Sequence, residues 1–358
     1  MNRKEKELFL ALCSFKNPDK NKVEHLLTSG AATPEVLGHL FANRMAGVAY
    51  TVLSKTELLA QTDREFRNSL SGAWRLNEKI QADFMGCINF LSAQLNDCGV
   101  PYALLKGAYL CGKYPIGCRT SNDIDVLICP EDVGKVSTKL RLSGCKQGYL
   151  KNGKFIEATR QQIIESKMTR GETVPFIKET KLPFMPYLEV DLNFSLDYKN
   201  SEASVVKEML ARTQRVQTGG TVVRTLGEAD FFLHLCAHLY KEATTVPWIR
   251  MKRDMTFYKF CDVYMLVSDM TEETAREIVT AADEHHLARE LAYAVNAVQE
   301  FFGVGNPTFG EFLKTMPQDS LTRVVAPAEK KMYRYTEPSV AKRFFAKDRM
   351  KLLEECVR

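Results

Sequence analysis

The sequence predicts an α+β protein: a mixed β-sheet flanked by N- and C-terminal helical regions. Three observations predict it. Short apolar runs bounded by turn residues cluster between about residues 99 and 200. On either side, apolar residues recur every three or four positions, as on helices. No internal repeat or low-complexity linker interrupts the pattern. The expected regions are therefore 1–98, helical; 99–200, carrying the sheet; and 201–358, helical again. A chain of 358 residues can bury a substantial core. With 45% hydrophobic and 26% charged residues it reads as globular rather than disordered. No apolar run approaches the length needed to cross a bilayer.

In the first region, Met1 to Phe15 mixes charges with a short apolar run. An amphipathic helix is expected there rather than a secretion signal. Asn17-Pro18-Asp19 and Ser29-Gly30 break the helical pattern, and Val36, Leu37, Leu40, Phe41, Val48 and Leu53 resume it. The longest periodic run is Thr62 to Asp97. Thr62-Asp63 supplies its N-cap, and Phe66, Leu70, Trp74, Leu76, Ile80, Phe84, Ile88, Leu91 and Leu95 form its apolar stripe. Gly99 ends it. This region reads as a packing scaffold.

The second region opens with Tyr102 to Leu105, a buried strand broken by Lys106-Gly107. A short helical stretch follows (Ala108, Leu110, Cys111, Tyr114), then the polar turn Arg119–Asn122 and the strand Asp123–Ile128. A helix is expected over 131–143, ending at Gly144. Lys151-Asn152-Gly153-Lys154 predicts a hairpin within an otherwise mixed, polar stretch from 146 to 165. Thr173–Ile177 and Tyr187–Phe194 read as strands, with 178–183 as a loop between them. In the third region, helices are expected over 202–210, 228–242, 254–268 and 272–302. Thr218-Gly219-Gly220 turns into a short strand at 221–223, and the last thirty residues are rich in Lys and Arg, as on a solvated helix face.

The chemistry concentrates in 102–128. Side chains alternate along a strand, so Asp123 and Asp125 point one way while Ile124 and Val126 point into the core. Two carboxylates so close repel each other, and a divalent cation relieves that repulsion. Hard ions such as Mg²⁺ take oxygen ligands of this kind, shared with substrate phosphates. Tyr187–Phe194 alternates equally cleanly, with Glu189, Asp191 and Asn193 on its polar side. It brings a third carboxylate to the first two only if the two strands pair. Gly107 offers close backbone approach to a phosphate, and Lys106 and Arg119 are cations able to neutralise one.

Other features carry less chemistry. His234 and His238 lie one turn apart on one helix, a spacing that binds metal. With no third ligand in the pattern, a packed role is expected, and Asp262 is expected to cap or pair nearby. Ten cysteines without any Cys-x-x-Cys pair read as free core thiols in a reducing cytoplasm. A net charge of +5 suits an anionic substrate but is too mild to indicate a nucleic-acid groove.

Together these motifs resemble the DNA polymerase β-like nucleotidyltransferase superfamily. They are most similar to an uncharacterised bacterial nucleotidyltransferase family with a Leu-Lys-Gly, Tyr, Arg, Asp-Ile-Asp signature. Here that signature reads Leu105-Lys106-Gly107, Tyr114, Arg119 and Asp123-Ile124-Asp125. The likeness covers about residues 35 to 270. It departs from the wider superfamily at Ala108, where a second glycine or a serine is usual. The resemblance implies a nucleotidyltransferase catalytic domain at 99–200. Its catalytic metal ligands would be Asp123, Asp125 and Asp191, with Glu189 as the rival third acid. Lys106, Gly107 and Arg119 would bind the triphosphate. The implied cofactors are two Mg²⁺ ions, or Mn²⁺, and the implied substrate is a nucleoside triphosphate such as ATP. The acceptor would be a small molecule, with RNA or a protein as alternatives, in the cytoplasm and without membrane attachment. From a different class, a catalytically silent nucleotide-sensing or partner-binding module could keep the same fold.

Overall fold

The computed structural model describes residues 1–196 and 203–356. The expected boundary at 200 and the start of the expected 202–210 helix lie outside them. The chain divides into two compact units. One is Trp74–Phe231; the other combines Met1–Ala73 with Phe232–Arg358.

In the first of these units, among the described residues, six strands form one mixed sheet. They are β1 (Tyr102–Leu104), β2 (Asp123–Ile128), β3 (Lys146–Lys151), β4 (Lys154–Glu157), β5 (Phe176–Glu179) and β6 (Tyr187–Asn193). Their order is β1-β2-β6-β5-β3-β4. Every pairing is antiparallel except β2 with β6. Parallel neighbours need a long crossover. Here the crossover holds the helix Val133–Leu142, the β3–β4 hairpin, the helix Arg160–Arg170 and β5.

One face of this sheet is the core. Ile124, Val126 and Ile128 of β2 and Leu188, Val190 and Leu192 of β6 pack with Phe84, Ile88, Leu91 and Leu95 of the long helix Arg64–Asn96. Val133, Val136 and Leu140 close the layer. Each such side chain, fully buried, contributes about 1.5–3 kcal/mol. The alternation that buries these residues forces the intervening acids onto the opposite face.

Local signals explain most boundaries. Asn152 and Gly153, both at positive φ (53° and 72°), make the tight turn between β3 and β4. β5 begins later than the apolar run suggests, because Pro175 has no N–H for a ladder and regular pairing starts at Phe176. The helix Arg160–Arg170 lies in the stretch read as polar and mixed. Thr159 and Gln162 form its capping box, and Gly171 ends it in the left-handed region (φ 65°).

A second hairpin, β7 (Gln214–Thr218) with β8 (Thr221–Thr225), braces the segment after β1. The Thr225 hydroxyl donates to the Leu104 carbonyl at 2.7 Å. The Thr218 hydroxyl donates to the Tyr109 carbonyl at 3.0 Å. Gly112 is where the hairpin tip presses closest. A Cβ there would lie 2.2 Å from Thr218 Oγ1 and 2.5 Å from the Gly219 amide nitrogen.

The other unit is mainly helical. Its N-terminal helices include Arg3–Cys13, with an Asn2/Glu5 capping box, and Pro34–Ala42. An aromatic cluster of Phe9, Phe257, Phe260, Phe301 and Phe344 forms its core. The expected 272–302 helix is two helices, Glu272–Glu284 and Ala288–Phe302, because His286 takes a positive φ of 56°. Among the described residues, the basic C-terminal stretch is α-helical only at Val340–Phe344. It carries a three-stranded antiparallel sheet: β9 (Arg323–Ala326), β10 (Lys331–Tyr335) and β11 (Leu353–Glu355). Val324, Ala326 and Tyr335 are its buried residues, so tertiary packing overrides the solvated-helix reading. Beside it, Arg349 grips the buried Asp254 with two bonds, of 2.5 and 2.7 Å.

Among the described residues, no helix is long and apolar enough to cross a membrane. Nine of the ten cysteines are buried free thiols, and Cys356 is exposed.

The hairpin contact gives a stability test. Gly112→Ala should destabilise the protein by roughly 2 kcal/mol or more, since the clash is with backbone. Gly134→Ala, where a Cβ meets nothing within 4 Å, should be neutral or stabilising by up to ~1 kcal/mol. Urea denaturation of the two variants compares them directly.

Candidate active site

The site grows from the end of β1. The Leu105 amide donates to the Asp125 carbonyl at 3.0 Å, extending the β1–β2 ladder by one bond. The chain then reverses over Leu105–Ala108, closed by Ala108 N–H to the Leu105 carbonyl at 3.1 Å. Lys106 takes φ 44° and ψ −117°. That is the first central position of a type II′ turn, which glycine normally fills. The helix Gly107–Leu110 follows. The ladder and the turn together hold Lys106 beside Asp125, and its Nζ lies 2.8 Å from Asp125 Oδ1.

The parallel register supplies the other acids. Asp123 lies opposite Glu189, and Asp125 opposite Asp191. Neighbouring strands are about 4.8 Å apart, so four carboxylates share one small patch. Asp125 is buried, while Asp123, Glu189 and Asp191 are half-buried. Asn193 Nδ2 also donates to Asp125 Oδ1, at 3.3 Å. The Ser121 hydroxyl donates to Asp123 Oδ1 at 3.0 Å.

The electrostatics follow from this crowding. Burial, then the negative charges of Asp125, Asp123, Glu189 and Glu172, push the Asp191 carboxyl well above the ordinary range. Burial, then Asp123 and Asp125, raise Glu189 as well. Burial opposes the charge on Lys106. The attraction of Asp125, their hydrogen bond, and then Asp123 and Asp191 outweigh it, so the ammonium is held more firmly than usual.

Gly107 is required for a reason the sequence does not reveal. Its φ is not in the left-handed region; Lys106 takes that burden. A Cβ on Gly107 would stand 2.6 Å from Ser121 Oγ and 2.7 Å from Ser121 Cβ. The glycine therefore makes room for the serine that holds Asp123.

The loop from 111 to 118 is fixed by the long helix. Trp74 Nε1 donates to the Ile116 carbonyl at 2.8 Å, and Asn77 Nδ2 to the Gly117 carbonyl at 3.1 Å. The Gln81 side chain accepts from the Gly117 amide at 2.9 Å and donates to the Cys111 carbonyl. These three residues anchor the approach to Arg119. Their part is invisible in the helical periodicity, which offers only a scaffold. Arg119 itself is buried, and its guanidinium donates to the Thr120 carbonyl.

His234 and His238 lie on the helix Glu228–Ala243. His238 Nε2 is 3.4 Å from Glu242 Oε1, and Lys259 pairs with the same carboxylate. Asp262 is buried on the helix Phe257–Ser268.

The acid patch has the donor chemistry of a hard-cation site: oxygens only, densely charged, beside a cationic turn. Among the described residues, no three His, Cys, Asp or Glu side chains close into a tight ligand set. Asp125 is instead drawn to Lys106. A model of the family described as uncharacterised nucleotidyltransferase matches residues 31–303, which include the whole of this site. No curated protein matches the chain.

Two tests follow from the geometry. Gly107→Ala should cost ~1–3 kcal/mol by overpacking, and Ser121→Gly in the same chain should recover part of it. A double-mutant cycle in urea reads the coupling, and strict additivity would refute the contact. The second test is pH. A carboxyl whose folded pKa is raised binds its proton more tightly when folded. Its ionisation therefore costs stability, and the cost grows as pH rises from the unfolded value, about 4, through the folded one. In metal-free buffer, Asp191→Asn should raise the melting temperature at pH 7 by a few degrees, an order set by the size of the protein. The gain should fade as pH falls towards 4. Thermal scans across pH check both parts.

Proposed function

The chain belongs to the uncharacterised nucleotidyltransferase family, and on that premise we propose that it transfers a nucleoside monophosphate group from a nucleoside triphosphate to an acceptor. Pyrophosphate is the other product. The acceptor nucleophile is a hydroxyl or similar group, on a small molecule in preference to RNA or protein, since the net charge of +5 is modest. The observation that carries the reading is the β2–β6 register, which faces Asp125 with Asp191 one strand away.

Asp123, Asp125 and Asp191 would be the ligands of a two-metal centre. When bound, two Mg²⁺ ions (or Mn²⁺) supply positive charge to the triphosphate oxygens and acidify the acceptor hydroxyl. Asp191 then accepts the acceptor's proton on a carboxylate oxygen. Its place opposite Asp125 on the paired strand puts that carboxylate on the acid face where the acceptor hydroxyl would meet the metal. Ser121 orients Asp123 through its hydroxyl, and Asn193 orients Asp125 through its amide. Backbone groups at the Lys106–Gly107 turn, with Lys106 and Arg119, would steady the triphosphate. Developing charge is thus met by groups fixed before the reaction starts.

A second reading is a nucleotide-binding module without turnover, in which Lys106 neutralises Asp125 permanently. The ion pair at 2.8 Å is the observation that favours it.

Incubating the purified protein with each radiolabelled triphosphate, Mg²⁺ and a small-molecule cell extract separates the two. Transfer of label to an acceptor is expected, with Asp123→Ala, Asp125→Ala and Asp191→Ala each lowering the rate by at least ~10³-fold. Transfer that survives Asp123→Ala would sink the proposed centre. Saturable nucleotide binding with no transfer from any triphosphate would favour the silent module.

A further inference from the structure

Lys106 combines three features that ordinary phosphate-gripping residues do not need together. Its backbone sits at φ 44° and ψ −117°, a conformation natural to glycine. For a residue with a Cβ this is a strained conformation. Its side chain is largely withdrawn from solvent and points back at the acid face rather than outward, with Nζ 2.8 Å from Asp125 Oδ1. That same oxygen also receives Asn193 Nδ2 at 3.3 Å, so Oδ1 already serves two donors. The strain is held by the ladder bond from Leu105 to Asp125 and by the turn bond from Ala108 to Leu105. A glycine would fit the turn without strain but could place no charge there.

The surroundings explain what the charge does. Asp123, Glu189 and Asp191 crowd Asp125 by register. Four carboxylates on two adjacent strands are unstable unless some cation stands among them. Arg119, the other basic residue near the turn, donates to the carbonyl of Thr120. Among the described residues, Lys106 makes an ion pair with this face, through Asp125.

We propose that Lys106 is a resident counter-cation of the acid face, whose ammonium competes with divalent metal for Asp125 and so sets the concentration at which the site loads. The inference rests on the metal-dependent reading above. It adds that loading is an exchange of cations: Lys106 yields Asp125 as metal arrives and is then free to meet an anionic triphosphate. Metal and nucleotide should therefore bind cooperatively, each removing part of what opposes the other.

The test is Mn²⁺ binding to the full chain without nucleotide, read from the electron paramagnetic resonance signal of free Mn²⁺. Lys106→Met should bind Mn²⁺ about ten- to a hundred-fold more tightly than the native protein, the weight of one charge-assisted hydrogen bond. Lys106→Gly should do the same while relieving the backbone, and carries the test if the Met variant fails to fold. Lys106→Arg should stay near the native affinity. Adding Asp125→Asn should erase the gain in Lys106→Met. A merely structural lysine predicts the opposite sign, with affinity falling alongside stability. Equal affinity in Lys106→Gly and the native protein would overturn the proposal yet leave the metal centre standing, provided Asp123→Asn still weakens binding. Absence of Mn²⁺ binding in every form, with and without nucleotide, would remove both.

Discussion

Asp125 and Asp191 face each other across two hydrogen-bonded parallel strands, and the sheet is arranged to hold that repulsive pair in place. β2 and β6 form the lone parallel pairing in an otherwise antiparallel sheet among the described residues. Their core faces lock the register. Ile124, Val126, Leu188, Val190 and Leu192 are all essentially inaccessible. A slip of one residue would turn the acids into the core and these side chains into solvent. The hydrophobic layer thus fixes the position of charges that, left alone, would separate.

Around this pair the neighbouring structure works mostly by restraint. Ser121 and Asn193 bind one carboxylate oxygen each. Gly107 leaves Ser121 its place, the 214–225 hairpin braces the carbonyls of Leu104 and Tyr109, and Gln81 holds both ends of the loop that leads to Arg119. The strained backbone at Lys106 belongs to the same scheme. Strain of this kind persists only where surrounding bonds over-determine it, and it concentrates at sites where the chain must put a side chain in a particular place.

The sequence reveals the acid face but not what secures it. Asp123-Ile124-Asp125-Val126 and Leu188-Glu189-Val190-Asp191-Leu192 are local alternations, so the polar side of each strand is legible residue by residue. Their pairing is not legible, because it joins segments more than sixty residues apart through a crossover that no local pattern encodes. Ser121, Gln81 and Asn77 act through one or two side-chain hydrogen bonds each and look like ordinary polar residues. The Lys106-Gly107 pair misleads in an instructive way: the eye assigns the unusual backbone to the glycine, and the structure gives it to the lysine. The C-terminal sheet escaped for another reason. Its strands are only three to five residues long, and their burial comes from a helix contact through Val246 and Ile249 rather than from their own pattern.

The choice between Asp191 and Glu189 as the third acid can be argued from the same electrostatics. Both lie on one face of β6, one pleat apart, and both are raised by burial and by Asp123 and Asp125. They differ in how many like charges they meet. Glu189 feels Asp123 and Asp125, whereas Asp191 feels Asp125, Asp123, Glu189 and Glu172. A carboxyl resisted by four neighbours of its own sign gains most when a cation joins them. Its shorter side chain also keeps it close to the strand, directly opposite Asp125, with fewer rotamers to fix. Asp191 is therefore the acid that a cation on this face would relieve of the most like charge, and that asymmetry favours it over its neighbour.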